Sequence, residues 1–206
     1  MTVGPFQENS YLLVDEASRH GVLVDPGDEP DRILRMVRSA GAIVDAVWLT
    51  HGHLDHVGAV AAVKREWNVP VLMHADDLVL FRRAAQQAAF YGLPFEQPAD
   101  PDGTLADGQQ LALGGARFTV RHTPGHSPGH VLFVGTDLIV GGDLLFAGSI
   151  GRTDLPFSNP EAMETSLGLV AAMPPELAVY PGHGPPTSIG AELATNPYLA
   201  GVHHVR

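Results

Sequence analysis

The order of predicted elements points to an α/β (α+β) protein. The architecture it suggests is an αββα sandwich of two mixed β-sheets with helices on the outer faces, in one domain over residues 1–206. Three observations carry this. The chain reads β-rich, then helical, then β-rich, then helical. With 206 residues, 45% of them hydrophobic and 17% charged, it has enough apolar material for a sizeable core. Several apolar runs also end in small or turn-forming residues, each followed by a metal-ligand side chain. Patterning by itself fixes only the mixed α/β class.

Met1 to Gln7 is short and broken by Pro and Gly. Ser10 to Val14 and Gly21 to Asp25 read as two strands joined by a polar turn at Glu16 to His20. Pro26-Gly27-Asp28 ends the second, and Asp28 has the chemistry to cap a helix over Arg32 to Ala40, which Gly41 stops. Asp45 to Thr50 predicts a buried strand, and Val57 to Trp67 a helix packed on a sheet. Val69 to Met73 predicts a strand, and Ala75 to Tyr91 an Ala-, Gln- and Arg-rich helix. Gly92 to Leu105, rich in Pro and Asp, predicts a surface loop over the site, long enough to be functional. Strands follow at Gln110 to Leu113, Arg117 to Arg121, His130 to Gly135 and Asp137 to Val140. A helix over Pro160 to Met173, a strand over Leu177 to Tyr180 and a short helix at Ile189 to Ala194 complete the chain.

Charge and composition exclude several functions. The formal net charge is −11, with only 12 Lys and Arg and no basic run, so the polyanion attraction of a nucleic-acid binder is missing. There is no cysteine, which removes disulfides, thiolate ligands and a Cys nucleophile together. No stretch approaches the ~20 apolar residues of a membrane span, and the N-terminus has no charged-then-apolar signal pattern. A soluble cytoplasmic protein is the expectation.

The densest chemistry lies at His51 to His56, H-G-H-L-D-H, where His51, His53, Asp55 and His56 all carry ligand atoms. Residues i and i+2 of an extended segment point the same way, so His51 and His53 can grip one ion together. The turn into a helix aims Asp55 and His56 elsewhere, towards a second ion. Three later strands end alike: one leads through His122-Thr123-Pro124-Gly125 into His126, one through Gly141-Gly142 into Asp143, and one through Pro181-Gly182 into His183. Loops along one edge of a rigid sheet are where binding side chains concentrate, and glycines there let backbone pass close to ions. Seven ligands are too many for one catalytic zinc but suit two ions, with a carboxylate as bridge; Asp143 is the candidate. Two ions ~3.5–4 Å apart can share a hydroxide nucleophile, because the pKa of bound water falls to ~7.

The run Thr50 to His56, with His126, Asp143 and His183, resembles the metallo-β-lactamase superfamily, and within it the glyoxalase II-like (hydroxyacylglutathione hydrolase-like) hydrolases, over nearly the whole chain. The resemblance implies the metallo-β-lactamase fold, with His51, His53 and His126 on the first metal. It places Asp55, His56 and His183 on the second, and Asp143 between them. Zn is the expected metal, with Fe or Mn as options, since all-N/O ligation accepts each. Gly142 to Phe146, Gly151 to Asp154, Pro181 to Gly184, Ile189 to Glu192 and Asn196 to Leu199 look like that subgroup too. Two departures matter. The chain stops soon after His183, without the C-terminal helical domain that supplies glutathione contacts in full-length glyoxalase II. Gly151-Arg152-Thr153-Asp154 stands where that family resembles Gly-Lys-x-Tyr. The resemblance also implies a strand before Gly4-Pro5-Phe6-Gln7 in relatives that this sequence is expected to lack.

The function expected from this resemblance is hydrolysis of a small acyl thioester such as S-lactoylglutathione. Asp55 orients or shuttles the proton, and Arg152 meets an anionic substrate or else forms a structural ion pair. Alternatives from the same residues are a mononuclear-iron persulfide dioxygenase and a non-catalytic metal-binding domain. His122 and His130, which flank His126, read as structural histidines that could instead orient a ligand. Phe90, Tyr91 and Phe95 could line a substrate cleft or simply pack helix ends. His20, His74, His203 and His204 read as surface or terminal, and Tyr180 as packing beside the His183 loop.

Overall fold

A β-branched run bounded by turn residues forms a strand where its faces can be covered. In the computed structural model, which describes residues 1–200 and 205, the N-terminal half follows that rule. A hairpin of β1 (Thr2–Val3) and β2 (Glu8–Asn9) opens the chain around the turn 4–7. Strands β3 (Tyr11–Val14), β4 (His20–Val24), β5 (Ile43–Trp48), β6 (Val71–His74) and β7 (Gly103–Leu105) then form a five-stranded sheet in that order. β3 is antiparallel to β4, and β4 through β7 run parallel.

Parallel neighbours need crossovers, and helices supply them. Helix α1 (Pro30–Ala40) joins β4 to β5; α2 (Leu54–Val57) and α3 (Val60–Trp67) join β5 to β6. Ile33 and Val37 of α1 and Val60 and Val63 of α3 share one apolar core with Leu23, Val47 and Val71 of the sheet. Burying each such side chain stabilises the fold by roughly 1.5–3 kcal/mol. Gly41 ends α1 in left-handed backbone, its N–H returning to the Arg38 carbonyl at 3.0 Å, as predicted. Asp28 is not the cap of α1. Proline occupies the first helical position, Glu29 sits at the cap with φ 49°, and Asp28 Oδ1 accepts the Glu29 N–H at 2.6 Å instead.

The helix predicted over Ala75 to Tyr91 is broken into a 3₁₀ turn (Ala75–Asp77), α4 (Leu78–Phe81) and α5 (Ala84–Phe90). Its polar side chains explain the break. Asp77 is fully buried and accepts Gly52 N–H at 2.8 Å, while Gln87 Oε1 accepts Leu54 N–H at 3.4 Å. Both serve the 51–56 loop, which one straight helix would not allow. Gly92 to Leu105 is a loop except for its last three residues, which form β7 against β6.

The C-terminal half contains β8 (Gln110–Leu113), β9 (Ala116–His122), β10 (Val131–Val134), β11 (Leu138–Gly142), a small hairpin of β12 (Leu145–Phe146) and β13 (Ser149–Ile150), then β14 (Ala178–Pro181) and β15 (Thr187–Ser188). A six-stranded sheet runs β15-β14-β11-β10-β9-β8. Because β10 is antiparallel to both β9 and β11, and β14 is parallel to β11, strands β9, β11 and β14 all point the same way. Helices α6 (Pro160–Ala171) and α7 (Ile189–Thr195) are capped by Asn159, which accepts Ala162 N–H at 3.1 Å, and Ser188, which accepts Ala191 N–H at 3.2 Å. Met163, Leu167 and Val170 of α6 bury with Leu132, Ile139 and Val179 of the sheet.

The chain divides into two compact units, Met1–Leu105 with Ala112–Ala116, and Ala106–Leu111 with the residues from Arg117 onward. Each holds a mixed sheet with helices packed on it, the α/β class expected from the sequence. Among the described residues no helix is long and apolar enough to cross a membrane. His203 and His204 lie outside the described residues.

Candidate metal centre

In the first unit, β4 and β5 are parallel, so both release their following residues at one sheet edge. β4 delivers Asp25 there and β5 delivers Thr50 and His51. His53 caps α2 in extended backbone, and Asp55 and His56 lie within that short helix. The rings of His51 and His53 stand 4.8 Å apart and those of His51 and His56 4.0 Å apart, centroid to centroid. His51, His53 and His56 are buried; the Asp55 side chain keeps 17% of its surface exposed. The three rings lie together, with His56 nearer to His51 than His53 is.

What orients these rings was not singled out from the sequence. Asp25, 2% exposed, accepts Thr50 N–H at 2.7 Å, the Thr50 hydroxyl at 2.6 Å and His56 Nδ1 at 3.0 Å. The Thr50 hydroxyl has one proton and gives it to Asp25. Its contact with His51 Nδ1 at 3.0 Å must therefore be a bond that the imidazole donates. Both Nδ1 atoms are thus protonated, and both buried Nε2 atoms carry the lone pair a metal needs. Asp25, His51 and His56 bring ligand-type atoms within 4.8 Å of one another. With three donors already on it, Asp25 acts as the orienting carboxylate and the histidines as ligands. A buried Asp ending the strand beside the motif strand was the available signal, and the sequence reading used it only as a strand end.

Glu8 lies behind His56, with Oε1 3.9 Å from His56 Nδ1 and Oε2 accepting the Ser10 hydroxyl at 2.9 Å. Burial pushes its carboxyl well above the usual carboxylate range.

In the second unit the parallel strands β9, β11 and β14 end at one sheet edge, and His126, Asp143 and His183 follow them in turn. Asp143 Oδ2 is 3.5 Å from His126 Nε2 and 3.4 Å from His183 Nε2. His126 Nδ1 donates to the Arg152 carbonyl at 2.9 Å, so here too Nε2 holds the lone pair. His130, fully buried, accepts Asp143 N–H on Nε2 at 3.0 Å, which fixes its proton on Nδ1, donated to Thr123 Oγ1 at 3.0 Å. It is a structural histidine that holds the Asp143 backbone. His122 Nε2 bonds the Pro128 carbonyl at 2.8 Å, again within its own loop. Gly151 lets two chains touch, since a Cβ there would lie 1.8 Å from the Asp143 carbonyl.

Arg152 contributes its carbonyl to His126, while its guanidinium is exposed and paired with Asp154 at 2.9 and 3.0 Å. Of its two predicted roles, this geometry displays the ion pair. Phe95 lines a depression beside Asp55, and Phe90 is 84% exposed. His20 pairs with Asp45 at the surface, and His74 caps the 3₁₀ turn by accepting Asp76 N–H.

Imidazole nitrogens and carboxylate oxygens, without sulfur, form a donor set for a borderline divalent ion such as Zn, Fe or Mn. The metallo-β-lactamase superfamily pattern matches residues 3–183. The chain belongs to the metallo-β-lactamase superfamily. Within it, the chain is 36% identical over 205 residues to the probable metallo-hydrolase YqgX of Bacillus subtilis, covering 98% of this chain and 96% of that protein. It is 35% identical over 202 residues to the hydroxyacylglutathione hydrolase GloC of Haemophilus influenzae, covering 96% and 95%. TTHA1623, solved in a di-iron-bound form, superposes with a TM-score of 0.90 at 45% identity over 97% of this chain and 98% of that one. The superfamily fold, divalent-metal binding and membership of a metallo-hydrolase superfamily follow from these matches and the His/Asp cluster.

Proposed function

We propose that the protein is a binuclear metal-dependent hydrolase that cleaves a small acyl thioester. His51, His53 and His126 hold one divalent ion, Asp55, His56 and His183 the other, and Asp143 is shared. The observation that carries this is Asp143 Oδ2, placed 3.5 Å and 3.4 Å from imidazole nitrogens of two different ligand sets. A single oxygen so placed suits a bridge. Two bound divalent ions supply a Lewis acid for the carbonyl and water of lowered pKa.

The chain's own residues do the rest. Nδ1–H bonds to Thr50, Asp25 and the Arg152 carbonyl hold three imidazoles with Nε2 forward, so little reordering accompanies loading. Asp55, the least buried carboxylate of the set, is the group positioned to take and return a proton. A thiolate leaves without a strong general acid, which suits a site whose more exposed carboxylate, Asp55, is itself assigned to an ion. Zinc is the proposed native metal, with iron or manganese as substitutes; iron in TTHA1623 supports the tolerance. The net charge of −11 supports a small-molecule substrate in preference to nucleic acid, and the lack of cysteine supports a cytoplasmic setting.

The test quantifies Zn, Fe and Mn in purified protein and assays S-D-lactoylglutathione and a neutral thioester on the same sample. Turnover with about two ions per chain, falling at least ~100-fold with loss of one ion in Asp143→Ala, is the expected result. Full activity in that variant would sink the two-metal mechanism. Oxygen uptake with a persulfide by iron-loaded protein, without thioester cleavage, would replace hydrolysis by oxygenation.

A further inference from the structure

We infer that a depression in the first unit, beside Asp55, is a pocket for a short, uncharged acyl group; this rests on the thioesterase reading above. Its apolar walls come from the turn of the β1–β2 hairpin, Pro5 and Phe6, and from the long loop, Leu93 and Phe95. The charged residues lining it are two carboxylates, Asp28 and Asp55. Among the described residues no Lys or Arg does so. With Asp55 assigned above to an ion, Asp28 remains as a negative wall, which disfavours an anionic guest such as a carboxylate of a glutathione moiety. An apolar chain attached to the carbonyl meets no such penalty.

The wall is built rather than incidental. The turn closes with Gln7 N–H on the Gly4 carbonyl at 3.2 Å, and Ser10 N–H ties the hairpin to the Met1 carbonyl at 2.9 Å. The Phe6 ring meets Tyr91 edge-on at 5.2 Å, and Tyr91 meets Phe90 at the same distance. Hairpin and long loop are thereby held beside the residue assigned to proton transfer. Size limits the guest. The pocket offers about 60 Å³ within about 450 Å³ of space open to solvent. A space this small suits a short acyl chain better than a long one. A butanoyl group represents the short class and an octanoyl group the long.

The experiment uses the metal-loaded full chain and unreactive probes, ketones in which a methylene separates carbonyl from sulfur on an N-acetylcysteamine thioether. Calorimetry compares butanoyl-, octanoyl- and succinyl-type probes, while hydrolysis of the matching thioesters is followed separately. The butanoyl probe is expected to bind at least ~10-fold tighter than either other probe. Phe95→Ala, or Phe95→Leu if the first variant fails a circular-dichroism check, should narrow the butanoyl-to-octanoyl ratio to within ~3-fold. Equal binding of all three probes, no measurable binding of the butanoyl probe, or an unchanged ratio in a folded Phe95 variant overturns the pocket. Length-dependent binding without turnover keeps the pocket and removes the thioesterase reading. Turnover without length dependence does the reverse.

Discussion

Replacing Asp25 with Asn changes one oxygen for an amide nitrogen and leaves volume almost untouched, so its effect isolates hydrogen bonding. Asp25 serves three donors: Thr50 N–H on Oδ1, and the Thr50 hydroxyl and His56 Nδ1 on Oδ2. Asparagine has one acceptor oxygen. If that oxygen faces the Thr50 hydroxyl and His56, the new NH₂ points at Thr50 N–H, and two donors collide. If it faces Thr50 N–H, the NH₂ points at the hydroxyl and at His56 Nδ1. The hydroxyl then turns its proton toward His51 Nδ1, and His56 must accept on Nδ1. Both histidines would move their proton to Nε2, the atom needed for the metal.

Each bond lost to a charged acceptor costs about 1.5–3 kcal/mol, so one or two lost bonds cost about 1.5–6 kcal/mol. For a chain of this length that lowers Tm by roughly 3–24 °C. The tautomer change should weaken metal binding about 10- to 100-fold, as removal of an orienting partner usually does. Chelator-competition titration of Zn measures the affinity, and ¹⁵N shifts of the imidazoles in metal-free protein report the tautomers. A folded Asp25→Asn variant with wild-type Zn affinity and Nδ1–H tautomers would refute the orienting role. Lost stability alone would reduce Asp25 to a packing element.

Three further outcomes are expected. His130→Phe keeps a ring but removes the acceptor of Asp143 N–H and the donor to Thr123, and should cost about 1–3 kcal/mol for each buried group left unmatched, read by urea denaturation. Unchanged stability would show that this imidazole does not hold the loop. Gly27→Ala would put a Cβ 1.9 Å from the Asp55 carbonyl and 2.4 Å from Glu8 Oε2, so α2 must shift; a loss of about 1–3 kcal/mol with weakened metal binding is expected, and wild-type behaviour in both assays would contradict that packing. Asp102 accepts Lys64 Nζ at 2.7 Å and Val71 N–H at 2.8 Å, and its carboxyl is held below the usual range, first by the Lys64 bond. A depressed folded pKa gives stability present above the unfolded value and lost as pH falls through the folded one, so the gap between wild type and Asp102→Asn should shrink below about pH 4; a constant gap from pH 7 to 3 would refute it.

The ligand run was legible because four ligand side chains in six residues have few other uses, and strand-then-turn spacing shows where His126, Asp143 and His183 must emerge. Most strands of both sheets were legible from β-branched runs, but β7 reads as the end of a loop and β15 gives no strand signal, because each is only two or three residues long. The long helix over Ala75 to Tyr91 was not, because its Ala-rich composition satisfies local propensity throughout. Only tertiary contacts, Asp77 to Gly52 and Gln87 to Leu54, break it. Asp25 and His130 escaped for a related reason. One reads as the polar end of a strand and the other as one more histidine in H-T-P-G-H-S-P-G-H, and the partners that reveal their roles, Thr50 and His56 for Asp25 and Asp143 for His130, lie outside the local run. Asp28 illustrates the opposite error: a good capping residue loses its role when Pro30 starts the helix two residues later.

The two units solve the same problem with opposite chemistry. In the first, a carboxylate, Asp25, fixes the imidazoles. In the second, an imidazole, His130, fixes the backbone of a carboxylate, Asp143. His51, His56 and His126 reach one outcome through three different oxygens: a hydroxyl, a carboxylate and a carbonyl. Because protein oxygens hold Nδ1 of each ring, the ring orientations are committed before any ion arrives. Commitment of this kind favours every divalent ion that accepts N and O donors, and leaves their ranking to the intrinsic order in which Mn binds more weakly than Fe. Which ion is held then depends on supply as well as on affinity. Chelator-competition affinities measured with each metal in turn should follow that order, and tighter binding of Mn than of Fe would show that the site's shape does the choosing.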